Sequence, residues 1–176
     1  MTDAVIEKMT QKFGPLDFRS LRIPFHHTGY YEKEMGGGLC RSLISFENLM
    51  APETLPKIKQ YTNELENTFR RDNKSRRVNI DPGYIALCHL ILATCKGFSH
   101  RPYLGRGVYA DLTLIFLGNT FTSLPWTFPD YGSDELICLL NKIRSLLYQQ
   151  LRGSKQKTTQ NGQSQGSIPT GDTTND

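Results

Sequence analysis

The chain has 176 residues, a formal net charge of +4 and 38% hydrophobic residues, enough for one domain with a real core and too little for two. The charge is too modest and too dispersed for a general nucleic-acid binder, which carries a clustered basic stripe. No apolar run reaches the roughly eighteen residues of a membrane span, and Asp3 and Glu7 stand where a signal peptide needs a basic, then apolar, start; a cytoplasmic protein is expected.

In chain order, Thr2 or Asp3 caps a first helix with Ile6, Met9 and Phe13 on one face, stopped by Gly14-Pro15. Leu16 to Phe25 is a predicted strand whose apolar phase changes between Phe18 and Leu21, placing a bulge or bend near Arg19-Ser20. After a loop from His26 to Gly38, Leu39 to Phe46 forms a second strand, and Pro52 leads into a helix from about Glu53 to Arg70. Its inward stripe is Leu55, Ile58, Tyr61 or Thr62, Leu65 and Phe69, with the polar side in water. Arg76 to Asp81 is predicted as a third strand. From Ile85 to Lys96, apolar residues at helical spacing and nearly all round predict a deeply buried third helix ended by Gly97.

A meander follows: His100 to Leu104, Gly107 to Leu117, a Gly118-Asn119 turn, and Thr120 to Leu124. Along its long strand Val108, Ala110, Leu112, Leu114 and Phe116 are expected on one face, Tyr109, Asp111 and Thr113 on the other. Ser133 caps the last helix, striped by Leu136, Leu139 or Leu140, Ile143, Leu146 or Leu147 and Leu151. The domain therefore spans 1–152. From Gly153 to Asp176 the composition turns to Gln, Thr, Ser, Gly and Asn, and a disordered polar tail is expected. The four cysteines, Cys40, Cys88, Cys95 and Cys138, have irregular spacing and no C-x-x-C pair, as small buried hydrophobes in a reducing compartment would.

Phosphate-binding signatures fail. Gly36-Gly37-Gly38 lacks the Gly-Lys of a P-loop, and Gly105-Arg106-Gly107 does not complete G-x-G-x-x-G. Asp81, before Pro82-Gly83, suits the cap of the predicted third helix, whose N-terminus would favour an anion at the sheet end. His100-Arg101 either clamps an anion beside a general acid or forms an interstrand ion pair with Asp111 or Asp81. If Asp81 and Asp111 converge uncompensated, a divalent metal is suggested; compensated by Arg101, they are structural. His26, His27, His89 and His100 lack metal-ligand spacing, so no metal is assigned, and His89 fits a satisfied core histidine. Tyr30, Tyr31 and Glu34 could form a lid. Trp126 to Tyr131 fits a rigid loop closing the core.

Together, Gly29-Tyr30-Tyr31-Glu32-Lys33-Glu34-Met35-Gly36, Thr62-Asn63-Glu64-Leu65-Glu66, Arg77-Val78-Asn79-Ile80-Asp81-Pro82-Gly83-Tyr84, Leu92-Ala93-Thr94-Cys95-Lys96, His100-Arg101, Tyr103 to Asp111 and Trp126-Thr127-Phe128-Pro129-Asp130-Tyr131 resemble the domain of unknown function 4416, a family of small bacterial and archaeal proteins without an established activity. Pro102, Asp111, Phe128 and Gly132 depart from that pattern, which has an aliphatic residue, glutamate, tyrosine and arginine there. The resemblance also implies an apolar strand before the first helix, missing from this chain. With it restored, the order looks like a ferredoxin-type split βαβ core extended by a helix and a β-meander.

The expectation is thus an α+β domain, a mainly antiparallel sheet with helices packed on it. It would bind a small anionic ligand, phosphorylated or nucleotide-like, at the sheet end bounded by Asn79, Asp81, His100, Arg101, Tyr109 and Asp111, with any reaction left open. The alternatives are a non-catalytic interaction module with a patch of Tyr30, Tyr31, Trp126 and Tyr131, and RNA binding through the Arg70 to Arg77 run.

Overall fold

The computed structural model describes residues 2–24, 38–70 and 77–162. Helix α1 (Thr2–Phe13) stops where Gly14 turns to φ 99°, its N–H donating to the Thr10 carbonyl at 2.9 Å, while Asn48 Nδ2 donates to the Phe13 carbonyl at 3.0 Å. Thr2 and Asp3 both lie inside the helix rather than capping it. Asp3 instead pairs with Arg19 at 2.6 Å, and the hydrogen bond and charge of that guanidinium hold its carboxyl below the ordinary range. The first predicted strand is two pieces, β1 (Leu16–Arg19) and β2 (Ile23–Pro24), paired antiparallel with β4 (Ile44–Phe46) and β3 (Cys40–Arg41) respectively. The break falls at the expected bend. There Ser20 N–H donates to the Leu43 carbonyl and the Ser20 hydroxyl accepts from Leu43 N–H, both at 2.9 Å.

A single 3₁₀ turn (Pro52–Thr54) leads into α2 (Leu55–Thr68), where Pro56 sits harmlessly in the first turn. The helix is rotated from its expected setting. Leu55, Thr62 and Leu65 face inward as expected, but so do Lys59 and Glu66. The reason lies in residues 78–81, which form no strand. Their backbone needs other partners: Lys59 Nζ donates to the Ile80 carbonyl at 3.1 Å, and Glu66 Oε1 accepts from Ile80 N–H at 2.6 Å.

The expected third helix is also absent. Residues 83–94 form a β-hairpin, β5 (Gly83–Ile85) with β6 (His89–Thr94). Leu90 and Leu92 pack on one side of the sheet, Ile91 and Ala93 on the other. A strand buried on both faces is apolar all round, the same composition a buried helix shows. Asp81 therefore caps nothing, and no helix N-terminus points from there toward a ligand.

The meander is as expected in outline: β7 (Tyr103–Gly105), β8 (Val108–Leu117) and β9 (Thr120–Ser123), with Gly118 (φ 54°) and Asn119 (φ 74°) making the tight turn. β5, β6 and β8 run side by side, and both β7 and β9 pair with the remaining edge of β8. Every described pairing is antiparallel, so the parallel pair of a split βαβ core is not found among the described strands. Between Leu90↔Leu114 and Ile91↔Leu112 the register shifts, leaving Thr113 as an extra residue in β8. This overturns the expected single apolar face. Leu114 and Phe116 face the side covered by the last helix, whereas Val108, Ala110 and Leu112 face α2.

Helix α3 (Asp134–Gly162) is capped as expected, with Ser133 Oγ accepting from Leu136 N–H at 3.3 Å. It runs on past Gly153, where the polar tail was expected to begin. Leu136 and Leu140 pack with Leu90, Leu114, Phe121 and Tyr131. Asn141 satisfies the outer side of β9, accepting from Phe121 N–H at 3.1 Å and donating to Thr120 Oγ1 at 2.9 Å. The molecule is thus an α+β fold with α3 on one face of the sheet, α2 on the other and α1 packed against α2 through Val5, Met9 and Leu65. A Cβ at Gly83 would lie 2.3 Å from the Ile91 carbonyl oxygen, whereas one at Gly153 meets nothing within 4 Å. Gly83→Ala is therefore expected to lower stability by about 1–3 kcal/mol and Gly153→Ala to raise it by about 0.5–1 kcal/mol, opposite shifts in a urea melt.

Candidate functional site

On its outer edge β8 is paired by β7 as far as Tyr109 and by β9 from Leu114, leaving Ala110 to Thr113 between the two. Such a stretch of edge must find other partners. Trp126 Nε1 donates to the Leu112 carbonyl at 2.8 Å, and Thr127 Oγ1 donates to that of Thr113 at 2.6 Å while accepting from Leu124 N–H at 2.8 Å. These bonds lay the loop after β9 over the gap. From the other side, Pro102 accepts from Ala110 N–H at 2.9 Å, bringing His100 and Arg101 to the same place.

There Asp111 is buried, only 4% exposed. Arg101 answers it: its Nε and Nη2 each lie 2.9 Å from Asp111 Oδ2, and Nη1 donates to the Lys96 carbonyl at 3.1 Å. His100 Nε2 is 3.8 Å from Asp111 Oδ1, too far for a hydrogen bond, and is buried with no hydrogen-bond partner among the described residues. Its ring is stacked on Trp126 (centroids 4.8 Å, 14°) and meets the edge of Phe98 at 5.3 Å.

The junction extends to Tyr131, a core residue beside it. Burial pushes its phenol above the ordinary 10.0; Asp81 adds to this, Arg41 opposes it, and Asp130 and Asp111 add further. Arg41 pairs with Asp130 and lies 4.8 Å from the Tyr131 ring.

Of the six expected ligand-binding residues, His100, Arg101 and Asp111 come together. Asn79 and Asp81 bond to one another, Nδ2 to Oδ2 at 3.0 Å, and Asp81 is exposed. Tyr109 packs against Tyr103, ring centroids 5.1 Å apart. Tyr30, Tyr31, Glu34, His26 and His27 lie outside the described residues, as does most of the Arg70 to Arg77 run. Tyr131, expected in a surface patch, is buried. Trp126 and Phe98 belong to the junction although neither was counted in it; the only signal was their aromatic character in Gly- and Pro-rich loops. Asp111 is compensated by Arg101, the structural arrangement rather than the metal one. Among the described residues, no group of three or more His, Cys, Asp or Glu side chains is placed to hold a metal ion. A shallow concavity of about 460 Å³ lies elsewhere, between α3 and β9, lined by Thr120, Asp134, Cys138, Asn141 and Lys142 among others.

Residues 1–147 match the family model for a domain of unknown function, DUF4416. The chain belongs to this family. No curated protein and no solved structure matches it. Among the described residues of this DUF4416 chain, no helix is long and apolar enough to cross a membrane. At Gly132, where the family resemblance puts arginine, a Cβ would lie 2.7 Å from Ser123 Oγ, so a side chain there requires that hydroxyl to turn away.

Two outcomes test this geometry. Arg101→Ala strands a buried carboxylate and is expected to cost about 3–5 kcal/mol, far more than replacing Arg101 and Asp111 together by Met and Leu, in denaturant melts. The raised Tyr131 value means that the folded state keeps a proton that the unfolded state loses above the ordinary 10.0. This contribution is complete below that pH and declines as pH rises beyond it. Phenolate absorbance should therefore show one tyrosine ionising only as the chain unfolds in alkali, and Tyr131→Phe should remove that late step.

Proposed function

We propose that the chain binds a small anionic ligand, phosphorylated or nucleotide-like, at the junction of His100, Arg101 and Asp111 beneath Phe98 and Trp126. The observation that supports this is the His100 imidazole, whose Nε2 is buried without a hydrogen-bond partner among the described residues. An unsatisfied buried polar atom costs about 1–3 kcal/mol, and a ligand oxygen accepting from it removes that cost. Beside it Arg101 carries more N–H donors than Asp111 and the Lys96 carbonyl engage. Phe98, 69% exposed, and Trp126, 38% exposed, offer flat faces to a planar group. In this reading His100 donates to the ligand, Arg101 balances its charge and Asp111 holds Arg101 in place. Asn79, Asp81 and Tyr109 carry no assigned contact.

A second reading, a non-catalytic protein-interaction module, is favoured by the same exposed rings together with Phe128, 51% exposed. Thermal melts with inorganic phosphate, nucleotides and sugar phosphates separate the two. A ligand present at 100 times its Kd adds about 2.7 kcal/mol, or about 5–10 °C for a domain of this size. His100→Phe keeps the ring against Trp126 but removes the nitrogen, and should abolish the shift without unfolding the chain. If no compound moves the melting temperature, or the variant responds as the parent does, the ligand reading fails.

A further inference from the structure

All four cysteines are exposed, contrary to the expectation of buried hydrophobes, and their surroundings differ. Cys40 Sγ lies 3.8 Å from the Gly38 carbonyl, and Cys95 Sγ accepts from Asn63 Nδ2 at 3.5 Å. Cys138 lines the shallow concavity on α3. Cys88 alone among the described cysteines has an imidazole at hydrogen-bond distance, Sγ to His89 Nδ1 at 3.1 Å.

That contact stands on a built turn. Neighbouring side chains along a regular strand point to opposite faces, but Cys88 precedes the first residue of β6 and escapes the alternation. Three elements then fix the turn. Ala86 N–H closes it on the His89 carbonyl at 2.9 Å; Phe116 N–H from β8 holds the Cys88 carbonyl at 2.8 Å; and Arg144 Nε from α3 holds the Leu87 carbonyl at 2.8 Å. The Arg144 guanidinium is itself laid over the Phe116 ring at 3.4 Å, and Tyr84 meets the His89 ring at 5.8 Å in an edge contact. The thiol and the imidazole nitrogen beside it are thereby oriented before any reagent arrives, the arrangement an activated nucleophile requires. The thiol remains open to solvent at the hairpin tip beside Leu87, 37% exposed.

We propose that Cys88 is a nucleophilic thiol, with His89 as its base, that exchanges with low-molecular-weight disulfides. His89 Nδ1 takes the thiol proton and Sγ attacks one sulfur of the disulfide. The incoming S–S bond breaks as the new one forms, and the departing thiolate recovers the proton from His89. The products are Cys88 in mixed disulfide and one small thiol, with no other reagent consumed. This site is separate from the His100 junction and stands or falls independently of it.

The test uses the full chain, with glutathione disulfide as exchange partner and iodoacetamide as a second probe, followed residue by residue in a mass spectrometer. Cys88 should react at least about tenfold faster than Cys40, Cys95 or Cys138. His89→Phe should bring it into their range with an unchanged circular dichroism spectrum, and Cys88→Ser should remove the fast phase of glutathione release. Because the other thiols serve as controls within one molecule, the ranking in the unaltered chain is decisive even if a variant misfolds. Cys88 reacting no faster than Cys138, or a folded His89→Phe chain reacting as fast as the parent, overturns the proposal.

Discussion

One inserted residue organises this molecule. Thr113 has no counterpart on β6, and the register shift it causes turns the apolar side chains of β8 from one face of the sheet to the other halfway along the strand. One strand can therefore supply both cores, Val108 to the side of α2 and Leu114 to the side of α3. The same irregularity lies where β7 has ended and β9 has not begun, so the free carbonyls of Leu112 and Thr113 are taken by an indole and a hydroxyl from a loop. The charged junction is a by-product of that edge: Asp111 stands two residues before the extra one, and the segments that cover it bring Arg101, His100 and Trp126.

Burial of charge recurs on the opposite side of the sheet. Lys59 and Glu66 turn inward from α2 because the irregular chain at Ile80 presents both a carbonyl and an N–H that no strand satisfies. The helix thus performs the task of a neighbouring strand, one side chain for each backbone group. In both places a charged group accompanies backbone that leaves the regular ladder, consistent with the rule that buried polar groups are found paired.

Much of this was legible in the residues. Gly14, Ser133 and Gly118-Asn119 marked a helix end, a helix start and a hairpin because each acts through local geometry that its neighbours cannot override. The phase change near Arg19-Ser20 marked a real break. Residues 85–96 were illegible for a physical reason: burial on both faces erases the alternation that distinguishes strand from helix. The division of β8 between two faces was hidden because Val108, Ala110, Leu112 and Leu114 recur at every second position, and only pairing against β6 reveals the extra residue. For the site, an ion pair of Arg101 with Asp111 was one of the open readings, beside a pair with Asp81 and an anion clamp, and the residues alone did not choose among them. The place of Trp126 could not be read, since it depends on the gap between β7 and β9.

The stacked rings at that gap have an optical consequence. Trp126 is the single tryptophan of the chain, its indole N–H is tied to the β8 backbone and its face lies against an imidazole. All tryptophan emission thus originates from the covered edge of the sheet, and loosening of the loop from the strand would appear in the fluorescence while distant helices stayed dark.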